Sequence, residues 1–166
     1  MGDQPVRRLA RRPDMPSLIE TTLSETGLAP ESVVFEFTET AAIANMESSR
    51  TFAQRISAIG CEFALDDFGT GCGSFYWLKH LPAKYLKIDG EFIRHVTISD
   101  IDRVIVEAVV TTAGRLGKQT IAEYVGDAAT LDLLQWPHVD HAQGFHVGPP
   151  VELSRFTIAA EPRSDR

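Results

Sequence analysis

The sequence predicts an α/β fold, a partial (β/α) barrel of about five parallel strands covered by helices, and two observations support it. Short apolar segments rich in β-branched and aromatic residues alternate with longer amphipathic segments, as in βα repeats. A polar side chain closes nearly every apolar segment, and in a (β/α) barrel such positions converge at one face. The predicted strands lie at residues 33–37, 61–65, 85–88, 119–123 and 139–143.

The first part of this pattern leads from a β-rich segment to a pair of aspartates. The strand over residues 33–37 precedes a helix predicted over residues 51–59, which Gly60 is expected to end. The next strand, over residues 61–65, runs directly into Asp66 and Asp67.

The second part contains the clearest helical signal. A short helix over residues 75–80 is predicted to end before Pro82, and the strand over residues 85–88 follows. The longest helix is predicted over residues 100–116. Its apolar stripe is expected to comprise Ile101, Val104, Ile105, Ala108, Val109 and Thr112. Asp127 is predicted to cap a helix reaching Leu134, and Trp77 and Trp136 to anchor the core.

Composition narrows the function classes. The 166 residues carry a net charge of −7, which argues against nonspecific binding to DNA or RNA. The sequence shows no apolar run near the roughly 18 residues of a membrane helix, so we expect no membrane partner. Cys61 and Cys72 match neither a metal nor a redox pattern, which favours a cytoplasmic location.

The acids at the strand ends suggest a metal site. Adjacent Asp66 and Asp67 repel each other unless a cation or a hydrogen-bond network compensates them. Together with Glu36 they could ligate one or two Mg²⁺ or Mn²⁺ ions. Two such ions about 3.5–4 Å apart can bind a phosphodiester and generate the attacking hydroxide. Lys87 could hold the attacking water or offset charge on the phosphate, and Glu123 could accept a proton.

Several of these residues also have a structural interpretation. Lys87 could simply extend from a strand end to solvent. Asp89 is interpreted as a turn residue before Gly90. Glu39 could cap the following helix or hold the glycine-containing turn that follows Asp67.

Taken together, the motifs resemble those of the EAL-domain family, the phosphodiesterases that hydrolyse the bacterial messenger cyclic di-GMP. The matching motifs are Glu36-Phe37-Thr38-Glu39, Asp66-Asp67-Phe68-Gly69-Thr70-Gly71, Leu86-Lys87-Ile88-Asp89, Ala122-Glu123 and Gln143-Gly144. The resemblance covers residues 6–153, with an unrelated start over residues 1–5 and a polar tail over residues 154–166. It implies a TIM-like barrel, two divalent metals and hydrolysis of the cyclic dinucleotide to linear pGpG.

The resemblance also implies roles for the motif residues. Glu36, Asp66 and Asp67 match residues that bind the metal ions, which would be Mg²⁺ or Mn²⁺. Lys87 and Glu123 match the residues that position and activate water.

Two further positions match organising residues of the site. Gln143 matches a substrate-binding or site-organising position. Glu39 matches the glutamate that steadies the loop after Asp67, a loop that the family also uses in dimer contacts. Cys72-Gly73 stands in that loop where a Tyr-Ser pair is usual.

The departures from the family pattern bear on activity. The Glu-Ala-Leu signature is absent, and the sole asparagine, Asn45, does not match the metal-binding asparagine of the family. Residues 7–28 resemble the segment that follows that asparagine strand, so roughly the first three of the eight barrel strands are expected to be missing. Residues 122–126 read Ala-Glu-Tyr-Val-Gly where Ala-Glu-Gly-Val-Glu is usual.

These departures lead to three hypotheses. The chain is a degenerate phosphodiesterase domain that has little or no activity in isolation and binds metal weakly. Alternatively, it is a non-enzymatic module that binds a protein or the nucleotide. In the third hypothesis it is an active enzyme whose missing strands come from another polypeptide. An open sheet edge predicts self-association or pairing with a complementing chain.

Overall fold

The computed structural model describes residues 14–38, 46–70 and 78–151. Its helices are α1 (Met15–Thr26), α2 (Met46–Ile59), α3 (Gly90–His95), α4 (Asp100–Arg115) and α5 (Ala128–Leu134). Its strands are β1 (Val34–Thr38), β2 (Glu62–Phe68), β3 (Tyr85–Ile88), β4 (Gln119–Ala122) and β5 (His141–Ala142).

The five strands form one parallel sheet in the order β1-β2-β3-β4-β5. The predicted α/β class and the five parallel strands are therefore confirmed. Strands that are consecutive in sequence are neighbours in the sheet. Because all the strands are parallel, their carboxyl ends lie on the same side of the sheet, where the candidate site is found.

Helices and strands enclose one apolar core. In β3, Leu86, Lys87 and Ile88 are all buried, which is typical of a parallel sheet covered on both faces. The Phe37 ring in β1 lies 5.0 Å from that of Phe63 in β2 and 5.6 Å from that of Phe52 in α2, measured between centroids. Through this aromatic cluster α2 packs against the sheet.

Caps mark the starts of the helices that follow β3 and β4. The Ser99 hydroxyl accepts a hydrogen bond from the Asp102 backbone N–H at the start of α4. Asp127 accepts one from the Thr130 backbone N–H at 2.7 Å, which confirms the predicted cap of α5. None of the described helices combines the length and the apolar character needed to cross a bilayer.

The structure corrects two packing predictions. The buried stripe of α4 consists of Val106, Val109 and Ala113, whereas Ile101 and Val104 are largely exposed. Apolar residues surround most of this helix, so the spacing allowed more than one stripe. Trp136 is 70 % exposed and is not a core anchor. Most of the short helix predicted over residues 75–80, together with Trp77 and Cys72, lies outside the described residues.

Candidate functional site

Three acidic side chains, two from strands and one directly after a strand, converge on the ammonium group of Lys87. The Nζ atom lies 2.9 Å from Glu36 Oε2, 3.0 Å from Asp66 Oδ1 and 2.6 Å from Glu123 Oε1. Glu36 belongs to β1, Asp66 to β2 and Lys87 to β3, while Glu123 directly follows β4. The parallel order of the strands brings these carboxyl ends together, as the sequence predicts.

Lys87 is buried at the centre of this group. Only 3 % of the residue is exposed, so the interpretation that it extends to solvent is wrong. Burial alone would lower the pKa of Lys87, but its contacts with Glu123, Glu36 and Asp66 outweigh burial and raise the pKa above its ordinary value. Lys87 is therefore a fixed positive charge at neutral pH and cannot serve as a base.

A bulge in β2 allows both aspartates to face the same cluster. The pairing register between β2 and β3 shifts between Leu65 and Phe68, and Asp67 has a φ of 56°. Side chains alternate between the two faces of a regular strand, so Asp66 and Asp67 would otherwise point apart. The extra residue of a bulge redirects a side chain, and bulges are frequent beside active sites.

Asp66, Asp67 and Glu123 form a group that fits a divalent cation. One carboxylate oxygen from each lies within 4.8 Å of the others. Asp66 Oδ1 is buried without a hydrogen-bond partner in the described part of the chain. Its 3.0 Å approach to Lys87 Nζ is close enough for an ion pair but not oriented as a hydrogen bond. A hard cation such as Mg²⁺ or Mn²⁺ prefers oxygen donors of this kind.

The electrostatics of the group show an excess of negative charge. Burial, then the neighbouring charges of Asp66 and Asp89, raise the pKa of Asp67. Burial raises the pKa of Glu123, although its contact with Lys87 opposes the shift. One lysine therefore does not fully compensate these carboxylates, and an additional cation would lower both pKa values.

An open cavity of about 440 Å³ lies over this group. Its lining includes Asp66, Asp67 and Glu123, and also four residues that the sequence did not single out as site residues: Glu91, Arg94, His95 and Tyr124. The first three of these belong to α3, a helix missing from the sequence-based prediction. Asp89 is the N-cap of α3 rather than a simple turn residue, because its Oδ1 accepts a hydrogen bond from the Glu91 backbone N–H at 2.6 Å. An acidic residue followed by an amphipathic turn after β3 was the signal for this helix.

Two described site residues of the prediction, Glu36 and Gln143, lie apart from the three-carboxylate group. Glu36 joins it through Lys87. Gln143 follows β5 and is exposed, and its backbone pairs with Ala122 and Val125. Glu39 lies outside the described residues.

The fold and the site together define a (β/α)-barrel type of protein whose polar site lies at the carboxyl ends of parallel strands. The comparisons identify it further. The chain belongs to the EAL domain family, whose family model matches residues 6–150.

Relatives with known names support this assignment. The chain is 35 % identical over 133 residues to cyclic di-GMP phosphodiesterase PdeB of Shewanella oneidensis, covering 80 % of this chain and 16 % of that protein. It is 32 % identical over 147 residues to cyclic di-GMP phosphodiesterase PdeF of Escherichia coli, covering 89 % of this chain and 20 % of that protein. The chain thus spans a fifth or less of the length of these relatives.

Solved structures share the fold. The PaMucR phosphodiesterase in complex with c-di-GMP matches with a TM-score of 0.82 and 30 % identity, over 89 % of this chain and 60 % of that one. The EAL domain of Mycobacterium smegmatis DcpA matches with a TM-score of 0.79 and 33 % identity, over 85 % and 63 %. EAL domains are TIM-like barrels, so the described sheet corresponds to part of such a barrel.

Proposed function

We propose that this site takes part in the metal-dependent hydrolysis of cyclic di-GMP to linear pGpG. The observation that carries the proposal is the convergence of Asp66, Asp67 and Glu123 within 4.8 Å, beside a buried lysine and below an open cavity. Membership of the EAL domain family and the names of the relatives support the choice of substrate.

Each residue has a distinct role in this proposal. Asp66 and Asp67, with Glu36, hold one or two divalent cations, Mg²⁺ or Mn²⁺. When bound, such cations make the attacking water more acidic and offset charge on the phosphate. Lys87 remains protonated, orients the attacking water and orders the surrounding carboxylates. Glu123 accepts a proton from that water, a role open to it because its carboxylate lies beside Asp66 and Asp67 at the edge of the cavity.

We further propose that the isolated 166-residue chain binds the cation weakly and has little or no turnover. The described group offers three carboxylates, and two of its members already contact Lys87. Mg²⁺ requires near-octahedral coordination, so a three-residue group leaves much of its shell to water or substrate.

A second candidate function is a non-enzymatic module that binds the nucleotide or a protein. The observation favouring it is that Lys87 compensates part of the acidic charge without any metal. In this case the cavity would bind the dinucleotide without hydrolysing it, and a partner protein would recognise the nucleotide-bound chain.

We also propose that a second copy of the chain or another polypeptide completes the described sheet. We propose a cytoplasmic location for this assembly. Among the described residues, β1 and β5 form opposite edges of an open five-stranded sheet. An uncovered strand edge is a template for pairing. Light scattering on the purified chain tests completion by a second copy, and a stable monomer would contradict that form of the proposal.

A metal titration and a hydrolysis assay test the main proposal. Mn²⁺ is expected to raise the Tm of the unmodified chain, because a ligand that binds only the folded state stabilises it. Asp66→Asn is expected to abolish this rise, whereas Asp132→Asn, an exposed residue of α5, leaves it unchanged.

The assay follows pGpG formation from cyclic di-GMP with the same variants. Slow or undetectable turnover agrees with the proposal for the isolated chain. Fast, Mn²⁺-dependent turnover that disappears in Asp66→Asn would retain the phosphodiesterase assignment and overturn the proposed inactivity. Cyclic di-GMP binding without turnover and without a response to Mn²⁺ would favour the binding module.

A further inference from the structure

Arg94 and Tyr124 form a cation–π pair that borders the acidic cluster. The guanidinium carbon of Arg94 lies 4.1 Å from the centroid of the Tyr124 ring, within the range of a cation–π contact. The ring also packs on Gly90, since a Cβ atom at position 90 would lie only 2.1 Å from Cδ2 of Tyr124. The absence of a side chain at position 90 therefore makes room for the ring, which in turn supports Arg94 in the last turn of α3.

The backbone of Tyr124 has a conformation that is unfavourable for residues other than glycine. Its φ is 55°, in the left-handed region where a Cβ atom crowds the following carbonyl oxygen. A strained residue of this kind persists only where its surroundings hold it, and such residues cluster at functional sites. Gly90 and Arg94 are the neighbours that contact this ring in the described part of the chain. Because 56 % of Tyr124 is exposed, burial in the core does not account for its placement.

Arg94 places a positive charge in the lining of a cavity that is otherwise mostly acidic. Five carboxylate residues line the cavity: Asp66, Asp67, Asp89, Glu91 and Glu123. The basic residues in the same lining are Arg94 and His95, and His95 Nδ1 already lies 3.0 Å from the backbone carbonyl of Glu91. Arg94 is exposed, and a cation–π contact with a ring uses none of its N–H groups as hydrogen-bond donors to an oxygen, so they stay available to an anion in the cavity.

We propose that Arg94 binds a phosphate oxygen of the dinucleotide and that Tyr124 positions Arg94 for this contact. A phosphodiester is an anion, and it would enter a cavity whose walls are mostly acidic. A planar guanidinium can donate two parallel hydrogen bonds to a phosphate, a geometry that an ammonium group does not offer. The inference rests on the proposed function, since it takes the same dinucleotide as the ligand of the cavity.

Calorimetric titration of the full 166-residue chain with cyclic di-GMP, in the presence of Mg²⁺, tests the role of Arg94. Arg94→Gln is expected to weaken binding about tenfold to a hundredfold, the usual effect of losing a charge-assisted hydrogen bond. Arg94→Lys is expected to be intermediate, because it keeps the charge but loses the planar fork. Arg115→Gln is the matched control: it removes the same charge from an exposed position at the end of α4, and binding should stay within about twofold.

A double-mutant cycle tests the positioning role of Tyr124. Tyr124→Gly is expected to weaken binding about fivefold in the unmodified chain and to have no effect once Arg94→Gln is present. Tyr124→Phe keeps the ring and should bind as the unmodified chain does. Thermal unfolding of every variant separates loss of binding from loss of fold, and relief of the positive φ should keep Tyr124→Gly folded.

The possible outcomes separate this inference from the proposed function. Equal effects of Arg94→Gln and Arg115→Gln, or a Tyr124→Gly effect that persists without Arg94, would overturn the inference while leaving the proposed function intact. Failure of the unmodified chain to bind cyclic di-GMP would remove both.

Discussion

The two ends of the parallel sheet both carry buried or half-buried charge, but only one end is balanced. At the amino ends of the strands, Glu62 of β2 pairs with Lys84, and the Tyr85 hydroxyl donates a hydrogen bond of 2.6 Å to its other oxygen. The hydrogen bond from Lys84, then that from Tyr85, lowers the pKa of Glu62. Its negative charge is therefore stabilised by its neighbours.

At the carboxyl ends the acids outnumber their partner. Lys87 contacts Glu36, Asp66 and Glu123, yet the pKa values of Glu123 and Asp67 are both raised. These carboxylates are ionised at a cost to the fold.

The two ends therefore differ in role: the amino end carries a stabilising ion pair, and the carboxyl end carries the candidate site. A satisfied ion pair at the amino end stabilises the fold and offers no reason to bind anything further. Excess negative charge at the carboxyl end is tolerated where a cation or a substrate complex offsets it, and in (β/α) barrels that end is where sites form.

Replacing the lysine at each end of the sheet should give the largest difference in stability between the two ends. Lys87→Met should destabilise the fold by about 3 kcal/mol near neutral pH, because it leaves buried carboxylates without their cation. Lys84→Met should have a much smaller effect, since Lys84 is half exposed. Denaturant unfolding of both variants measures the difference. Equal losses would show that the two ends do not differ in this way.

The two ends of the sheet should also differ in how well they accommodate a methyl group in place of a glycine hydrogen. An alanine at Gly144, just after β5, would place its Cβ 2.3 Å from the Val125 backbone oxygen, and we expect a loss of about 2 kcal/mol or more. Gly114→Ala, in the last turn of α4 near the amino ends, meets nothing within 4 Å among the described residues. It should stabilise the helix by about 0.5–1 kcal/mol. Opposite shifts in Tm are the expected result; shifts of the same sign would contradict the close backbone approach at Gly144.

Removing the charge of Asp67 should relieve part of the charge excess at the carboxyl end. Because the folded-state pKa of Asp67 is raised, its ionisation destabilises the fold above the unfolded pKa near 3.9. Asp67→Asn should therefore raise the Tm at neutral pH in the presence of EDTA, by about 2–4 °C for each kcal/mol gained. The gain should shrink as the pH falls toward the unfolded pKa. Asparagine tolerates the left-handed backbone, and Asp132→Asn serves as the exposed control. A gain that does not depend on pH would point to a cause other than charge.

The smallest effect is expected at Glu62, with the opposite dependence on pH. A lowered folded-state pKa contributes stability that is present above the unfolded pKa of about 4.3 and is lost as the pH falls through the folded-state value. Glu62→Gln should cost less than about 1 kcal/mol at neutral pH and should make stability less sensitive to acid. Unfolding curves from neutral to acidic pH measure this; an unchanged acid sensitivity would mean that Glu62 is not stabilised by its neighbours.

Much of the fold was predictable because it depends on local pattern. The strands were placed within a few residues, and the cap at Asp127 followed from its residue type and position. Predictions failed where several local patterns were equally good. The α4 stripe is the clearest case, since its apolar residues cover more than one side of the helix and more than one face could pack against the sheet.

The candidate site was predictable in its acids but not in its geometry. Asp66, Asp67, Lys87 and Glu123 were named from their positions at strand ends. The bulge at Asp67 was not, because an extra residue in one strand is defined only by the register of its neighbour. Arg94 was missed because α3 is too short to show a periodic pattern.

The βα order, the family and the acidic residues at the carboxyl ends could be predicted because they depend on residue type and short-range spacing. The burial of Lys87 among Glu36, Asp66 and Glu123 could not, nor could the packing of Tyr124 on Gly90 beside Arg94. These contacts join residues from different strands and loops. They depend on strand register, a bulge and a strained backbone, which are properties of packed neighbours and not of any one segment.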